Sequence, residues 1–161
     1  MISGKVWKYK DNINTDIISP PAYMELNIEE AAKYAMNTID PDFGTQYKPG
    51  DIFVAENNLG SGSSRETAPL TLYALGLRTI VAKSYARIFY RNCINVGILA
   101  IECSQTDKIS KDDEIEIDYE AGFIINKTKN EQYACDKIPS HIMELINNGG
   151  LLNYLVNKRM A

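Results

Sequence analysis

The sequence predicts an α/β fold, and three observations carry that expectation. Residues 51–102 alternate short apolar runs with helical stretches in the order strand, helix, strand, helix, strand. From Asp112 onward the pattern turns to strand-like runs, and two short helical segments close the chain. At 161 residues with 45% hydrophobic and 24% charged side chains, the composition is that of a folded domain with a real core, not of a disordered, fibrous or coiled-coil class. One domain over 1–161 is expected, since no repeat, low-complexity tract or linker marks a second.

The elements follow in order. Residues 5–10 alternate Trp7 and Tyr9 with Lys8 and Lys10 and read as a first strand, ended by the turn Asp11-Asn12-Ile13-Asn14. The segment 15–18 reads as a short extended piece running into Pro20-Pro21, whose missing N–H groups and fixed φ keep the exit extended. Asn27 ahead of Ile28-Glu29-Glu30 supplies an N-cap and an acidic first turn, which predicts a helix over 28–36. Asp40-Pro41 and Lys48-Pro49-Gly50 punctuate a loop before a buried strand at 51–55. A small-residue loop at 59–65 then leads to a helix opening at Thr67-Ala68-Pro69 and closed by Gly76. Residues 78–82 form the next strand, Ser84 is the expected cap of a helix that Gly97 terminates, and 98–102 is a strand again. Strands at 114–119 and 122–126, a polar turn at 127–130, and helices at 140–147 and 151–158 complete the reading, with Ser140 the expected cap of the first.

Charge and cysteine usage exclude several functions. Seventeen basic against twenty-one acidic side chains give a net charge of -4, so no cation excess exists to displace phosphate counterions and no nucleic-acid partner is expected. No apolar run approaches the roughly 20 residues of a membrane helix, and residues 1–10 hold no apolar signal core, so the chain is expected in the cytoplasm and off the membrane. Cys93, Cys103 and Cys135 are odd in number, widely spaced and without a CxxC pair; they read as structural thiols. With His141 the only histidine, this chain offers neither a zinc site nor a four-cysteine cluster site. His141 itself reads as a surface residue in the first turn of a helix rather than a base.

The chemistry concentrates in Gly60-Ser61-Gly62-Ser63-Ser64-Arg65-Glu66, between a strand and a helix start. Small residues let backbone approach a ligand, helix-start amides favour an anion, and a guanidinium offers a carboxylate two parallel donors. The segment is therefore built to grip an acid, the alternative being a plain turn. It lacks the Gly-Lys-Ser/Thr ending of a phosphate loop, and Ser63 has no histidine partner that would make it a hydrolase nucleophile.

Gly62-Ser63-Ser64-Arg65-Glu66 with Ala68-Pro69, then Ala82-Lys83-Ser84-Tyr85-Ala86-Arg87-Ile88-Phe89-Tyr90-Arg91-Asn92 and Asn95-Val96-Gly97, resemble the swivel domain of the aconitase superfamily. Within it, the separate small subunits of the 3-isopropylmalate dehydratase type match best. The resemblance runs from Gly4-Lys5-Val6-Trp7 through Asn14-Thr15-Asp16 to Gly149-Gly150-Leu151. The Gly-Ser-Ser-Arg-Glu loop followed about twenty residues later by Ser-Tyr-Ala-Arg-Ile-Phe is a specific joint signal, whereas Asn-Thr-Asp alone is weak.

The resemblance implies a β/β/α swivelling domain that closes over a [4Fe-4S] cluster held by a large partner subunit, in a hydro-lyase of leucine and branched-chain amino acid biosynthesis. Its substrate would be a small hydroxy acid, an alkylmalate, dehydrated and rehydrated. Carried onto this sequence, Ser63 is the base that takes the proton alpha to a carboxylate, and Ser64 and Arg65 hold substrate. Asp16 matches an aspartate close to the reaction that orients a histidine of the partner, the alternative being a turn cap. Tyr23, Met24 and Glu25, with Leu26, match the loop that reads the group varying between substrates. Glu25 departs from the family there: it would repel a third carboxylate if it faces the site and is neutral if it faces solvent. Thr67 replaces the histidine or glutamine common after Arg-Glu. Arg87 and Arg91, four apart, are expected in structural or interface ion pairs rather than on substrate. Three readings stand at this point: a subunit acting on 3-isopropylmalate, one acting on 2-methylmalate or 2,3-dimethylmalate, and a swivel domain that binds without catalysis.

Overall fold

Strand β1 (Ile2–Lys8) changes partner halfway along its length in the computed structural model, which describes residues 1–63 and 65–160. Its first half pairs antiparallel with β5 (Glu114–Asp118), Ile2 opposite Ile117 and Lys5 opposite Glu114. Its second half pairs parallel with β2 (Ile52–Val54), Val6 opposite Ile52 and Lys8 opposite Val54. Gly4 lies beside this switch because a Cβ there would stand 2.1 Å from the Gly50 carbonyl oxygen. Seven strands result in the order β4-β3-β2-β1-β5-β6-β7. The parallel wing adds β3 (Thr79–Ala82) and β4 (Leu99–Glu102), and the antiparallel wing adds β6 (Phe123–Asn126) and β7 (Glu131–Ala134).

The parallel strands are apolar on both faces, as strands covered on both sides must be. Phe53, Ile80 and Ala100 point into one core together with Trp7, Tyr9 and Phe43. Their neighbours Ile52, Val54, Val81, Leu99 and Ile101 point into a second core. Helices α4 (Thr67–Ala74) and α5 (Arg87–Val96) cover the first face through Ala68, Leu72, Phe89, Cys93 and Ile94. The second face is covered by the antiparallel wing itself, whose Ile115, Ile117, Ile124 and Tyr133 join that core, so the sheet curls back on its parallel half. Helices α6 (Ser140–Asn147) and α7 (Leu151–Met160) close the chain. This is the mixed α/β architecture that the sequence predicts.

Several local expectations change. The segment expected to be extended after Asn14 is a helical turn, α1 (Thr15–Ile18), because the Asn14 side chain accepts from the Ile17 amide at 2.8 Å and caps it against the β preference of two isoleucines. Helix α2 (Ile28–Ala32) starts at the expected Asn27 cap but ends early, and turns carry the chain on to Met36 at φ 62°. The loop before β2 contains a short helix, α3 (Phe43–Gln46), which buries Phe43. Strand β1 starts three residues ahead of its predicted start, and β7 was not predicted, since Glu-Gln-Tyr-Ala buries only Tyr133. Ser140 is the first residue of α6 and not its cap, a position taken by Pro139 without a side-chain bond. Cys93 and Cys103 are buried, Cys135 is half-buried, and His141 is exposed in the first turn of α6. Among the described residues no helix is long and apolar enough to cross a membrane.

Candidate active site

Three segments leaving the carboxyl ends of β1, β2 and β3 converge at one edge of the parallel wing, where open α/β sheets bind ligands. They are the Asn-Thr-Asp turn, the Gly/Ser loop and the start of α5. The loop is stitched to the first segment by Gly60 N–H to the Ile13 carbonyl at 2.7 Å and by Thr15 N–H to the Ser61 carbonyl at 2.9 Å. The Thr15 hydroxyl also donates to the Ser63 carbonyl at 2.9 Å. On its other side, Ala86 N–H donates to the Leu59 carbonyl at 2.9 Å and Leu59 N–H to the Ser84 carbonyl at 3.1 Å. Ser84, expected to cap a helix, instead accepts the Asn58 amide at 2.8 Å, and the extended run beside Leu59 delays α5 until Arg87. Gly60 is fixed by two constraints: its φ is 84°, and a Cβ would fall 2.0 Å from the Phe89 ring.

The result is a cavity of about 210 Å³ whose wall includes Thr15, Gly62, Ser63, Arg65, Arg87 and Asn92. Ser63 is exposed at its rim. Helix α5 enters with its amino end, for Ala86 to Phe89 also line the cavity. Its cap, Ala86, has no side-chain oxygen to give and its first turn holds no acid, so the helix itself does nothing to compensate its positive end. Arg65 is the second source of positive potential. Its Nη2 lies 3.2 Å from Asp16 Oδ1, and its Nη1 lies 3.4 Å from Met24 Sδ.

Behind the site, Lys8, Glu56, Lys83 and Asp107 tie the ends of the three strands together. Lys83 Nζ lies 3.5 Å from Glu56 and 3.2 Å from Asp107, and the hydrogen bond to Asp107 holds its ammonium above the usual lysine range. Lys8 donates to the carbonyls of Thr106 and Ile109, and burial pushes its ammonium below that range despite Glu56 at 3.8 Å.

Of the residues predicted from sequence, Asp16, Met24, Ser63 and Arg65 come together here, and Ser64 lies outside the described residues. Tyr23 stacks on Tyr34 with ring centroids 4.0 Å apart and stays off the cavity wall. Glu25 is exposed, forms no ion pair among the described residues and is likewise not on the wall. Thr15, Asn92 and Arg87 line the cavity without having been predicted as site residues. Arg87 and Arg91, expected in ion pairs, form none within the chain among the described residues.

Among the described residues no three His, Cys, Asp or Glu side chains gather as a metal-binding group. Burial pushes the thiols of Cys93 and Cys103 up, which disfavours the thiolate that cluster ligation needs. This chain's own side chains therefore do not fit an iron-sulfur cluster.

The sequence pattern of the aconitase C-terminal domain family matches residues 10–106. The chain is similar to a 3-isopropylmalate dehydratase small subunit from Archaeoglobus fulgidus, 46% identical over 97% of this chain and 98% of that one. An isopropylmalate/citramalate isomerase small subunit from Methanocaldococcus jannaschii is 46% identical over 100% of this chain and 96% of that one. Among solved structures, a 3-isopropylmalate dehydratase from M. jannaschii superimposes with a TM-score of 0.92 at 39% identity, covering 99% of this chain and 95% of that one.

Proposed function

The chain belongs to the aconitase C-terminal domain family, and from that premise we propose that it is the small subunit of a 3-isopropylmalate dehydratase, one swivel domain over residues 1–161. It works in the cytoplasm, in leucine biosynthesis, on docking to a large subunit that holds a [4Fe-4S] cluster. The names of the relatives share isopropylmalate, which favours that substrate; one of them adds citramalate, which is 2-methylmalate, and none of the three names 2,3-dimethylmalate. The single observation that carries a catalytic reading, against a swivel domain that only binds, is that Ser63, Arg65 and the uncapped start of α5 share one cavity.

In this reading Arg65 binds a substrate carboxylate through its paired donors, displacing Asp16. Ser63, as its alkoxide, removes the proton from the carbon alpha to a carboxylate; the hydroxyl on the adjacent carbon takes a proton from solvent or from the large subunit and leaves as water, and a carbon-carbon double bond remains. Water then adds with the opposite regiochemistry, giving one proton back to that donor, and Ser63 returns its own proton to the other carbon. A serine hydroxyl is too weak an acid to act as such a base unaided. Positive potential from α5 and Arg65 favours its alkoxide, and exclusion of water on docking to the large subunit would strengthen both effects. Met24, exposed and resting against Arg65, encloses the branched alkyl group together with Leu26, which is also exposed.

The test is assembly. The purified chain is mixed with a large subunit of such an enzyme and assayed on 3-isopropylmalate, 2-methylmalate and 2,3-dimethylmalate. Turnover that requires both chains and prefers 3-isopropylmalate is the expected result. A complex that forms and turns over none of the three overturns the proposal.

A further inference from the structure

An alkylmalate carries two carboxylates, and Arg65 can grip only one of them. We propose that Arg87 binds the second carboxylate, with Asn92 beside it as a neutral donor; this deepens the dehydratase reading and rests on it. Both side chains line the cavity that holds Ser63 and Arg65, so an acid gripped between the two arginines lies against the proposed base. Arg87 is exposed and, among the described residues, makes neither an ion pair nor a side-chain hydrogen bond, so its planar fork of donors is free for a carboxylate.

Electrostatics separates this from a casual surface arginine. Arg87 is the first residue of α5, where a cation meets the positive end of the helix and is disfavoured. No carboxylate in the first turn relieves it, and Arg65 adds a second guanidinium to the same wall. Of the acids nearby, Asp16 sits on Arg65, while Glu102 and Asp136 share a second cavity with Arg87 and form no ion pair with it among the described residues. Three positive sources thus face one small cavity, and a bound dianion relieves all of them. Arg91, one turn further on, is also exposed and without an ion pair among the described residues but does not line the cavity, which makes it the natural control.

The experiment compares the assembled enzyme carrying Arg87→Gln, Arg87→Lys or Arg91→Gln with the unaltered complex, reading KM and kcat on 3-isopropylmalate, inhibition by malonate and by acetate, and the affinity between subunits. Loss of a charge-assisted hydrogen bond predicts that Arg87→Gln raises KM by about 10- to 100-fold and weakens malonate by a similar factor. Inhibition by acetate, which needs one grip only, changes far less. Arg87→Lys falls between, because it keeps the charge and loses the fork, and Arg91→Gln behaves as the unaltered enzyme. An unchanged KM in Arg87→Gln overturns the proposal, as does a loss of subunit affinity with normal KM once the large subunit is saturating, which would assign Arg87 to the interface. If the unaltered complex turns over no hydroxy acid, the dehydratase reading has failed and the acid grip is decided separately, by titrating the chain alone with malonate. Saturable amide shifts at Arg87, Ile88 and Phe89 that vanish in Arg87→Gln uphold the grip, and their absence removes it.

Discussion

The carboxylate of Asp16 stands 3.2 Å from the guanidinium of Arg65, so the group proposed to hold substrate is already held by an acid of its own chain. The Asp16 side chain is 52% exposed, and a pair in that setting contributes about 1 kcal/mol or less. It is weak enough for a substrate carboxylate to displace. Asp16→Asn should leave the thermal midpoint of the chain almost unchanged while strengthening malonate binding to the free chain by about two- to fivefold, the equivalent of that energy. Calorimetric titration at low salt reads this directly, and an unchanged affinity would show that the pair does not compete with ligand.

Ser63→Ala removes one hydroxyl from an exposed rim and touches no packed atom, since Ser63 is tied in through its carbonyl, which accepts from Thr15 and from the Arg65 amide at 2.9 Å. Loss of a positioned base lowers turnover by about 10²- to 10⁴-fold. The assembled variant should therefore keep its melting temperature and subunit affinity and lose nearly all activity on 3-isopropylmalate. Turnover close to normal would transfer the role of base to another group.

Glu25→Arg tests the loop that reads the variable group of the substrate. Met24 reaches the site by resting against Arg65, whereas Glu25 beside it is exposed and unpaired among the described residues. If closure on a large subunit turns Glu25 inward, reversing its charge replaces repulsion with a charge-assisted bond, about tenfold or more in kcat/KM for a tricarboxylate such as homocitrate. Steady-state kinetics on 3-isopropylmalate and homocitrate provide the check. Identical profiles before and after the change would place Glu25 permanently in solvent.

The alternation of apolar runs in residues 51–102 made the parallel wing legible in the sequence because each strand there is buried on both faces, and the Gly/Ser loop was legible because only small residues pass so close to Phe89. What the sequence hid was tertiary. Nothing local tells that β1 trades an antiparallel partner for a parallel one halfway along, or that Ser84 serves a loop 26 residues away instead of the helix it precedes. Arg87 shows the same limit. Its spacing from Arg91 suggested ion pairs, and only the bridge between Leu59 and Tyr85 swings the start of α5 into the cavity wall.

The antiparallel wing has its own charged centre, and it gives a pH dependence. Asp113 is 4% exposed, and its Oδ2 accepts from the Ser110 amide at 2.9 Å and from Asn126 Nδ2 at 2.9 Å, with Lys129 Nζ at 3.3 Å. Burial by itself would raise the Asp113 carboxyl, but the Ser110 amide, Asn126 and Lys129 together outweigh it and hold it below the usual aspartate range. A carboxyl depressed in the folded state stabilises the fold fully above its unfolded value near 3.9, and that contribution is lost as the pH falls through the folded value. Asp113→Asn keeps the size of the side chain and removes the charge, so it should cost about 1.5 to 3 kcal/mol at pH 7. Urea titrations of both proteins from pH 7 downward should show this gap constant to about pH 5 and closing below pH 4. A gap that stays the same down to pH 2 would mean that the variant disturbs packing and that the charge contributes nothing, because packing alone has no reason to change with protonation.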